Sequence, residues 1–481
     1  MDSTGRNVPI RHIVSINDLS NSEIDKIFEM AKKYLDELPD TWGRQRIGKS
    51  MNRASHFVLA SLFYEPSTRT RLSFESAMLR LGGRVITSSD PSTSSAAKGE
   101  TLADTVRVIG NYADVIVIRH HRDGAARLAA EYSPVPIING GDGSHEHPTQ
   151  TLCDVFTLKT RHKDLKGLNV AVSGDLKGSR TIHSFVYALA RFNANILLMP
   201  AKGMELPMHV DSRLREEFRC LTVPKAKYER ENASIDALYV TPDEPHQLSL
   251  IDIAVDIKIS KIKKIHAMYV TRFQKERWEQ KDQDYPKIDA HFLKGSKYAE
   301  TSVLHPLPRV GELDASLDID DRAMYFQQAA YGVPIRMALL SLLLGLEDHM
   351  SLEQFAHGFS QPKNPIYDQP LATGIRCNNR NCIVHDSAET QYVRNRFFVV
   401  SNKTRASCKL RCFYCESDID DFVLAHKHRG WYTKSILNIL KLLRENDKDL
   451  IAYAGDSEAI AAGFRHKDNL SSRRRKHNSA A

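Results

Sequence analysis

A chain of 481 residues, 42% of them hydrophobic and 26% charged, has the composition of a globular protein of about three domains. That composition excludes a disordered or collagenous chain, and no apolar run approaches the ~20 residues that cross a bilayer. The net charge of +8 is uneven: from His426 onward there are twelve Lys/Arg and six Asp/Glu, a balance of +6, so the body is near neutral and nucleic acid, bound mainly by phosphate neutralisation, is not an expected partner.

The amino-terminal stretch "MDSTGRNVPIRH" lacks the apolar core of a signal peptide, so a cytoplasmic location is expected. Apolar strands then alternate with amphipathic helices to about Leu346, the pattern of α/β layers with parallel sheets. "HFVLASLFYE" from His56 reads as a strand leading into a helix on which Phe74, Ala77, Met78 and Leu81 share one face, with Gly82 and Gly83 as a stop. Between them stands "STRTR", Ser67 to Arg71. Free N–H groups at a helix start attract anions, and hydroxyls and guanidinium groups strengthen that attraction. Plain helix capping, with both arginines in solvent, explains the same residues equally well. Further strands are predicted at "DVIVIRH" from Asp114, "LNVAVSGD" from Leu168 and "NILLMP" from Asn195. The phrase Ala-x-Tyr-Val-Thr occurs twice, at Ala237 and at Ala267. "MALLSLLLGL" from Met337 reads as a buried helix end, and the proline-bearing stretch after Glu347 as a linker.

Five of the seven cysteines lie between Cys377 and Cys415. In a reducing compartment such a cluster points to metal rather than to disulfides. Cys377 and Cys382 are separated by four residues and Cys412 and Cys415 by two, spacings that suit tetrahedral Zn²⁺ held by four thiolates. Cys408 is the expected spare and His385 a weaker alternative ligand. A module of this size buries little core, so the metal would supply folding free energy. Ile436, Ile439, Leu440 and Leu443 mark a last amphipathic helix. "RRRKH", Arg473 to His477, reads as a solvated charge run in a disordered tail.

"FYEPSTRTRLSFESAMLRLGG" closely resembles the carbamoyl-phosphate motif of the aspartate/ornithine carbamoyltransferase family. "KGETLADTVRVIGNYADVIVIRH", "GDGSHEHPTQTLCDVFTL", "GDLKGSRTIHS", "YVTRFQKER", "HPLPR" and "YFQQAAYG" follow in the family's order. The resemblance covers roughly Ile10 to Leu346, and "HPLPR" and "TRFQKER" favour its aspartate branch. It implies that carbamoyl phosphate and L-aspartate give N-carbamoyl-L-aspartate and phosphate, a step of de novo pyrimidine biosynthesis that needs no organic cofactor. Ser67, Thr68, Arg69 and Thr70 would hold the phosphate, and Arg119 would bridge phosphate and carbonyl oxygen. His147 would donate to that oxygen, and Gln150 would bind the carbamoyl amide. Arg180, Arg272 and Gln274 would receive the aspartate carboxylates, and the Leu307 backbone would meet the substrate amine. The departing phosphate can take the amine proton, so no general base is nominated. "SSAAKGE" resembles the mobile loop that enters a neighbouring subunit's site, with Ser94 and Lys98 as the matching positions, which implies a homotrimer.

"CNNRNCIVH…LRCFYCE" resembles the zinc domain of the separate regulatory chain in the same family. The regulatory chain's nucleotide-binding domain has no counterpart between Leu346 and Cys377, so nucleotide feedback there is not expected. The expected fold is therefore α/β, with two Rossmann-like parallel-sheet domains linked by long helices and a small zinc-binding β domain. The boundaries are 1–150 for carbamoyl phosphate (with a returning helix at about 320–346), 151–319 for aspartate, 347–376 for the linker and 377–425 for zinc. Residues 426–481 form an extension with no assigned role.

Overall fold

The structure, a computed structural model, describes residues 10–38, 52–88, 98–162, 165–218, 220, 222–224, 235–241, 264–272, 288–347, 360, 371–372, 375–402, 407–444 and 449–467. Ser94, Gln274, most of the expected linker and the basic tail lie outside these residues.

The first α/β unit opens with helix α1 (Asn21–Glu37), started by a capping box between Ser20 and Glu23. Its strands are β1 (Val58–Phe63), β2 (Arg84–Ser88), β3 (Val115–His120) and β4 (Ile137–Asp142), alternating with helices α2 (Thr68–Arg80), α3 (Leu102–Ile109) and α4 (Ala125–Tyr132). The sheet order is β2-β1-β3-β4 and all pairs are parallel. β3 and β4 are buried along their whole length, which fits a parallel strand covered on both faces. Phe74, Ala77, Met78 and Leu81 are fully buried, as their helical spacing predicts.

Helix α5 (Pro148–His162) leads into the second unit: β5 (Asn169–Gly174), α6 (Arg180–Arg191), β6 (Asn195–Pro200), α7 (Met208–Glu216), β7 (Thr222–Pro224), β8 (Ala237–Val240), β9 (Ala267–Val270) and β10 (Ser302–Leu304). All six strands are parallel, in the order β10-β9-β8-β5-β6-β7. The two copies of the repeated phrase are thus adjacent strands in matched register, Ala237 beside Ala267 through Val240 beside Val270. Tyr239 and Tyr269 stack with centroids 4.3 Å apart. β8 lies between β5 and β9. At its end, Thr241 donates from Oγ1 to the carbonyls of Ser173 and Asp175. It packs so closely that a Cβ on Gly174, which has φ +95°, would lie 1.7 Å from the Thr241 carbonyl oxygen. Helix α8 (Tyr325–Leu343) returns to pack on α1, α2 and α5, and its apolar end is buried.

A third, antiparallel sheet follows in the order of its strands: β11 (Leu371–Ala372), β12 (Arg396–Asn402), β13 (Ser407–Cys412) and β14 (Asp418–Ile419). The chain then builds a fourth sheet from β15 (Val423–His426), β16 (Trp431–Thr433), β17 (Leu450–Tyr453) and β18 (Arg465–His466), with helices α9 (Ile436–Arg444) and α10 (Gly455–Ala461). Its order is β17-β15-β16-β18. β15 spans both sides of the boundary drawn from sequence at residue 425, and the stretch beyond it carries, besides the expected amphipathic helix, a second helix and further strands. One apolar cluster runs from Ile116, Ile118 and Ala126 through Phe398, Leu410 and Tyr414 to Leu424, Trp431 and Leu442. Among the described residues, no helix is long and apolar enough to cross a membrane.

Candidate active site

The carboxyl ends of both parallel sheets face one cleft. β1 ends at Phe63 and the chain reaches Glu65 and the start of α2. Ser67 is the N-cap residue of α2, yet its side chain makes no capping bond. The capping explanation for this turn therefore fails at Ser67. Thr68 and Thr70 open the helix, and Thr70 is buried with Oγ1 3.4 Å from Nε2 of His147. Of the two arginines, Arg71 pairs with Glu75 along the helix, whereas Arg69 crosses the cleft and donates to the carbonyl oxygen of Leu307 at 2.6 Å. Burial lowers the Arg69 pKa and the charge of Arg272 lowers it further, so the guanidinium that follows β9 repels the one that follows β1.

Arg119 is buried at the end of β3, where it donates to the Gly140 carbonyl at 3.1 Å. Burial, then the charge of Arg180, pulls its pKa down to about 10. Arg180, the first residue of α6, donates to the Gly143 carbonyl at 2.7 Å and takes both oxygens of Glu65 at 2.9 Å. Glu65 also accepts from Arg119 at 3.1 Å. Burial alone would raise the Glu65 pKa, but the two arginines hold it below the usual carboxylate value. Gly141, with φ +114°, borders this group, and a Cβ there would lie 2.9 Å from Nη1 of Arg119 and 3.3 Å from the His147 ring. A side chain at 141 would fill the cleft.

His147 is buried just before α5. Burial, with Arg119, Arg180 and Arg336, holds its pKa well below the ordinary value, so the ring is neutral. The Gln150 N–H donates to its Nδ1 at 3.3 Å, which puts the ring proton on Nε2, the side of Thr70. Opposite, Leu307 adopts φ +55°, an uncommon backbone for a branched residue. It is braced by its own N–H to Nδ1 of His305 at 2.8 Å, while His305 Nε2 donates to Glu312 at 2.6 Å.

The cleft thus gathers the Ser67–Thr70 turn, Arg119, His147, Gln150, Arg180, Arg272 and Leu307. Lys98 lies exposed in a turn before α3. Glu65 and Asp154 do not stand out in the sequence. Glu65 carries one signal: an acid two residues ahead of a turn rich in hydroxyls and arginines is out of place unless it serves an arginine. Asp154 carries another, its i, i+4 spacing from Gln150 on α5.

The four sulfurs of Cys377, Cys382, Cys412 and Cys415 are buried within 4.8 Å of one another. The Cys377–Cys415 and Cys382–Cys412 separations are 3.5 and 3.9 Å. A tetrahedron with Zn–S bonds of 2.3 Å has edges of about 3.8 Å, so the set fits such an ion and is too open for disulfides. Cys408 lies outside the cluster, and His385 hydrogen-bonds through Nε2 to the Cys377 carbonyl instead of joining it.

This centre rests on the α/β units. Asp123, ahead of α4, accepts from the Asn379 and Asn381 side chains at 2.8 Å each. Glu416 follows the last cysteine and is buried. One oxygen meets Arg127 of α4 at 2.9 Å and the other pairs with Arg213 of α7. Burial would raise the Glu416 pKa, but Arg213 and Arg127 hold it well below the usual range. His145 approaches the same carboxylate at 3.9 Å. The His145–Glu146–Glu416 group has the residue types of a metal site, but two arginines already neutralise it.

Residues 11–160 match the aspartate/ornithine carbamoyltransferase carbamoyl-P binding domain and residues 166–343 the Asp/Orn binding domain. Residues 371–423 match the metal binding domain of the aspartate carbamoyltransferase regulatory chain. The chain is 41% identical over 338 residues to the aspartate carbamoyltransferase catalytic subunit of Picrophilus torridus, covering 69% of this chain and 98% of that protein. It is 42% identical over 343 residues to that of Methanocaldococcus jannaschii, covering 70% and 98%. Among solved structures, the M. jannaschii catalytic subunit superposes with a TM-score of 0.55 at 38% identity, over 71% of this chain and all (100%) of that one. Aspartate transcarbamoylase from Trypanosoma cruzi in complex with N-(phosphonacetyl)-L-aspartic acid gives 0.54 at 30% identity, over 70% and 98%. The chain therefore belongs to the aspartate/ornithine carbamoyltransferase family, its catalytic region joined in one polypeptide to a domain that resembles the metal-binding domain of the aspartate carbamoyltransferase regulatory chain.

Proposed function

We propose that the protein is an aspartate carbamoyltransferase. The observation that carries this reading is the set of four guanidinium groups, Arg69, Arg119, Arg180 and Arg272, brought from two sheets, with Arg119 and Arg180 beside a neutral histidine and Arg272 acting on Arg69. A dianionic phosphate and a dicarboxylate amine call for such a set. The phosphate sits at the amino end of α2, held by Ser67, Thr68, Arg69 and Thr70, with Arg119 reaching both phosphate and carbonyl oxygen. The carbonyl oxygen, which gains charge as the amine attacks, receives the Nε2–H of His147. A neutral imidazole donates there without giving up its proton. The new C–N bond forms, the bond from carbon to the phosphate oxygen breaks, and the departing phosphate carries off the amine proton. Arg180, Arg272 and Gln274 hold the aspartate carboxylates, while Leu307 presents backbone to the amine. Gln150 takes the carbamoyl NH₂.

Zinc in the four-cysteine centre has a structural role in this reading, since its ligands lie outside the cleft. A four-thiolate centre suits a reducing compartment and hence the cytoplasm. A homotrimer whose sites are shared through Ser94 and Lys98 is supported by exposed apolar residues on neighbouring elements, Leu72 and Leu79 of α2 and Ile86 of β2. The deciding experiment compares carbamoyl transfer to aspartate and to ornithine by the full chain. Aspartate is expected to be the better acceptor by orders of magnitude, and a preference for ornithine would end this reading.

A further inference from the structure

We propose that Asp154 fixes the orientation of the Gln150 carboxamide and thereby lets the cleft distinguish a carbamoyl group from an acetyl group. The proposal rests on the reading of Gln150 given above. Gln150 and Asp154 stand one turn apart on α5. Asp154 is completely buried, and its Oδ1 accepts from Nε2 of Gln150 at 2.8 Å and from Nε2 of Gln328 at 2.6 Å. Its Oδ2 accepts from the Tyr269 hydroxyl at 3.1 Å.

A carboxylate oxygen that serves two amides must meet their nitrogens. Turning Gln150 over would set oxygen against oxygen in a site shut off from water, which is costly. Gln328 is fixed independently, because its Oε1 accepts from the His305 N–H at 2.9 Å and a backbone N–H can only donate. One carboxylate therefore ties together α5, α8, β9 and the loop that carries Leu307. Burial raises the Asp154 pKa to about 7. A proton on Oδ2 would still leave Oδ1 accepting both amides, so the hub does not depend on the charge.

With its nitrogen committed to Asp154, Gln150 offers its oxygen to a ligand. A carbamoyl group presents N–H donors at that place, and an acetyl group, alike in its carbonyl and phosphate, presents a methyl. Asp154 is thus a positioning residue for substrate choice. It touches no reacting atom.

The test uses the full chain and two probes, carbamoyl phosphate as substrate and acetyl phosphate as competitor. The quantity read is the acetyl phosphate inhibition constant divided by the carbamoyl phosphate KM. Asp154→Ala and Gln150→Ala, each checked for native circular dichroism, are expected to lower it by roughly 10- to 100-fold. Asp154→Asn keeps an oxygen where Oδ1 stands and is expected to hold the ratio within about threefold. A folded Asp154→Ala with the native ratio overturns the proposal. So does Asp154→Asn with a ratio as low as that of Gln150→Ala, which decides the matter if the alanine variant does not fold. A native ratio in Gln150→Ala overturns instead the assignment of Gln150 itself.

Discussion

The two parallel sheets supply the cleft in different ways. In the first, Arg69 follows β1, Arg119 stands at the end of β3 and His147 follows β4, and these three strands are consecutive neighbours in the sheet. In the second, Arg180 follows β5 and Arg272 follows β9, and β8 stands between them. One strand spacing is about 4.8 Å, so the strands that aim these two arginines are roughly 10 Å apart. The phosphate end of the cleft is therefore compact, while the end assigned to the dicarboxylate is spread across an intervening strand. That strand has its own attachments. Tyr239 of β8 donates to Oγ1 of Thr181, beside Arg180, whereas its counterpart Tyr269 of β9 reaches Asp154. The repeated phrase thus carries two separate positioning contacts, and the second copy alone leads directly to Arg272.

Removing a metal held by the four cysteines is expected to act on both halves at once, because Glu416 joins α4 of one to α7 of the other. Structural zinc contributes on the order of 10 kcal/mol in small metal-dependent domains. Chelation is expected to lower the melting temperature of the whole chain, and an unchanged melting curve after verified metal loss would count against the link. Substitutions at the compact end come next. Arg69→Ala and His147→Ala are each expected to reduce kcat by roughly 10²- to 10³-fold with native circular dichroism, and near-native turnover in either would displace that residue from the chemistry. At the spread end, Arg272→Ala is expected to raise the KM for aspartate by roughly 10- to 100-fold and to change that for carbamoyl phosphate little. Equal effects on both substrates would mean that the two ends are not separate.

Local patterns were legible in the sequence. The spacing of Phe74, Ala77, Met78 and Leu81 marked the buried face of α2, and the paired cysteines marked their cluster with Cys408 outside it. Long-range pairings were not legible. Glu65 becomes part of the site through Arg180, 115 positions away, and Glu416 joins the centre to α4 across 289 positions. No periodicity reports either contact. The repeated phrase failed to declare itself for a related reason: similar strings look the same whether they pair or lie in different sheets. The fourth sheet escaped because β16, β17 and β18 are two to four residues long, too short for alternation to register.

The covalent join between the catalytic region and the cysteine module fixes a stoichiometry. Two separate chains would hold together through Asp123, Arg127 and Arg213 only above a threshold concentration, and dilution would part them. Here the same contacts form within one molecule, at an effective concentration set by the intervening chain. Occupancy of the joint becomes independent of how much protein is present, and each cleft keeps one module of its own at any dilution.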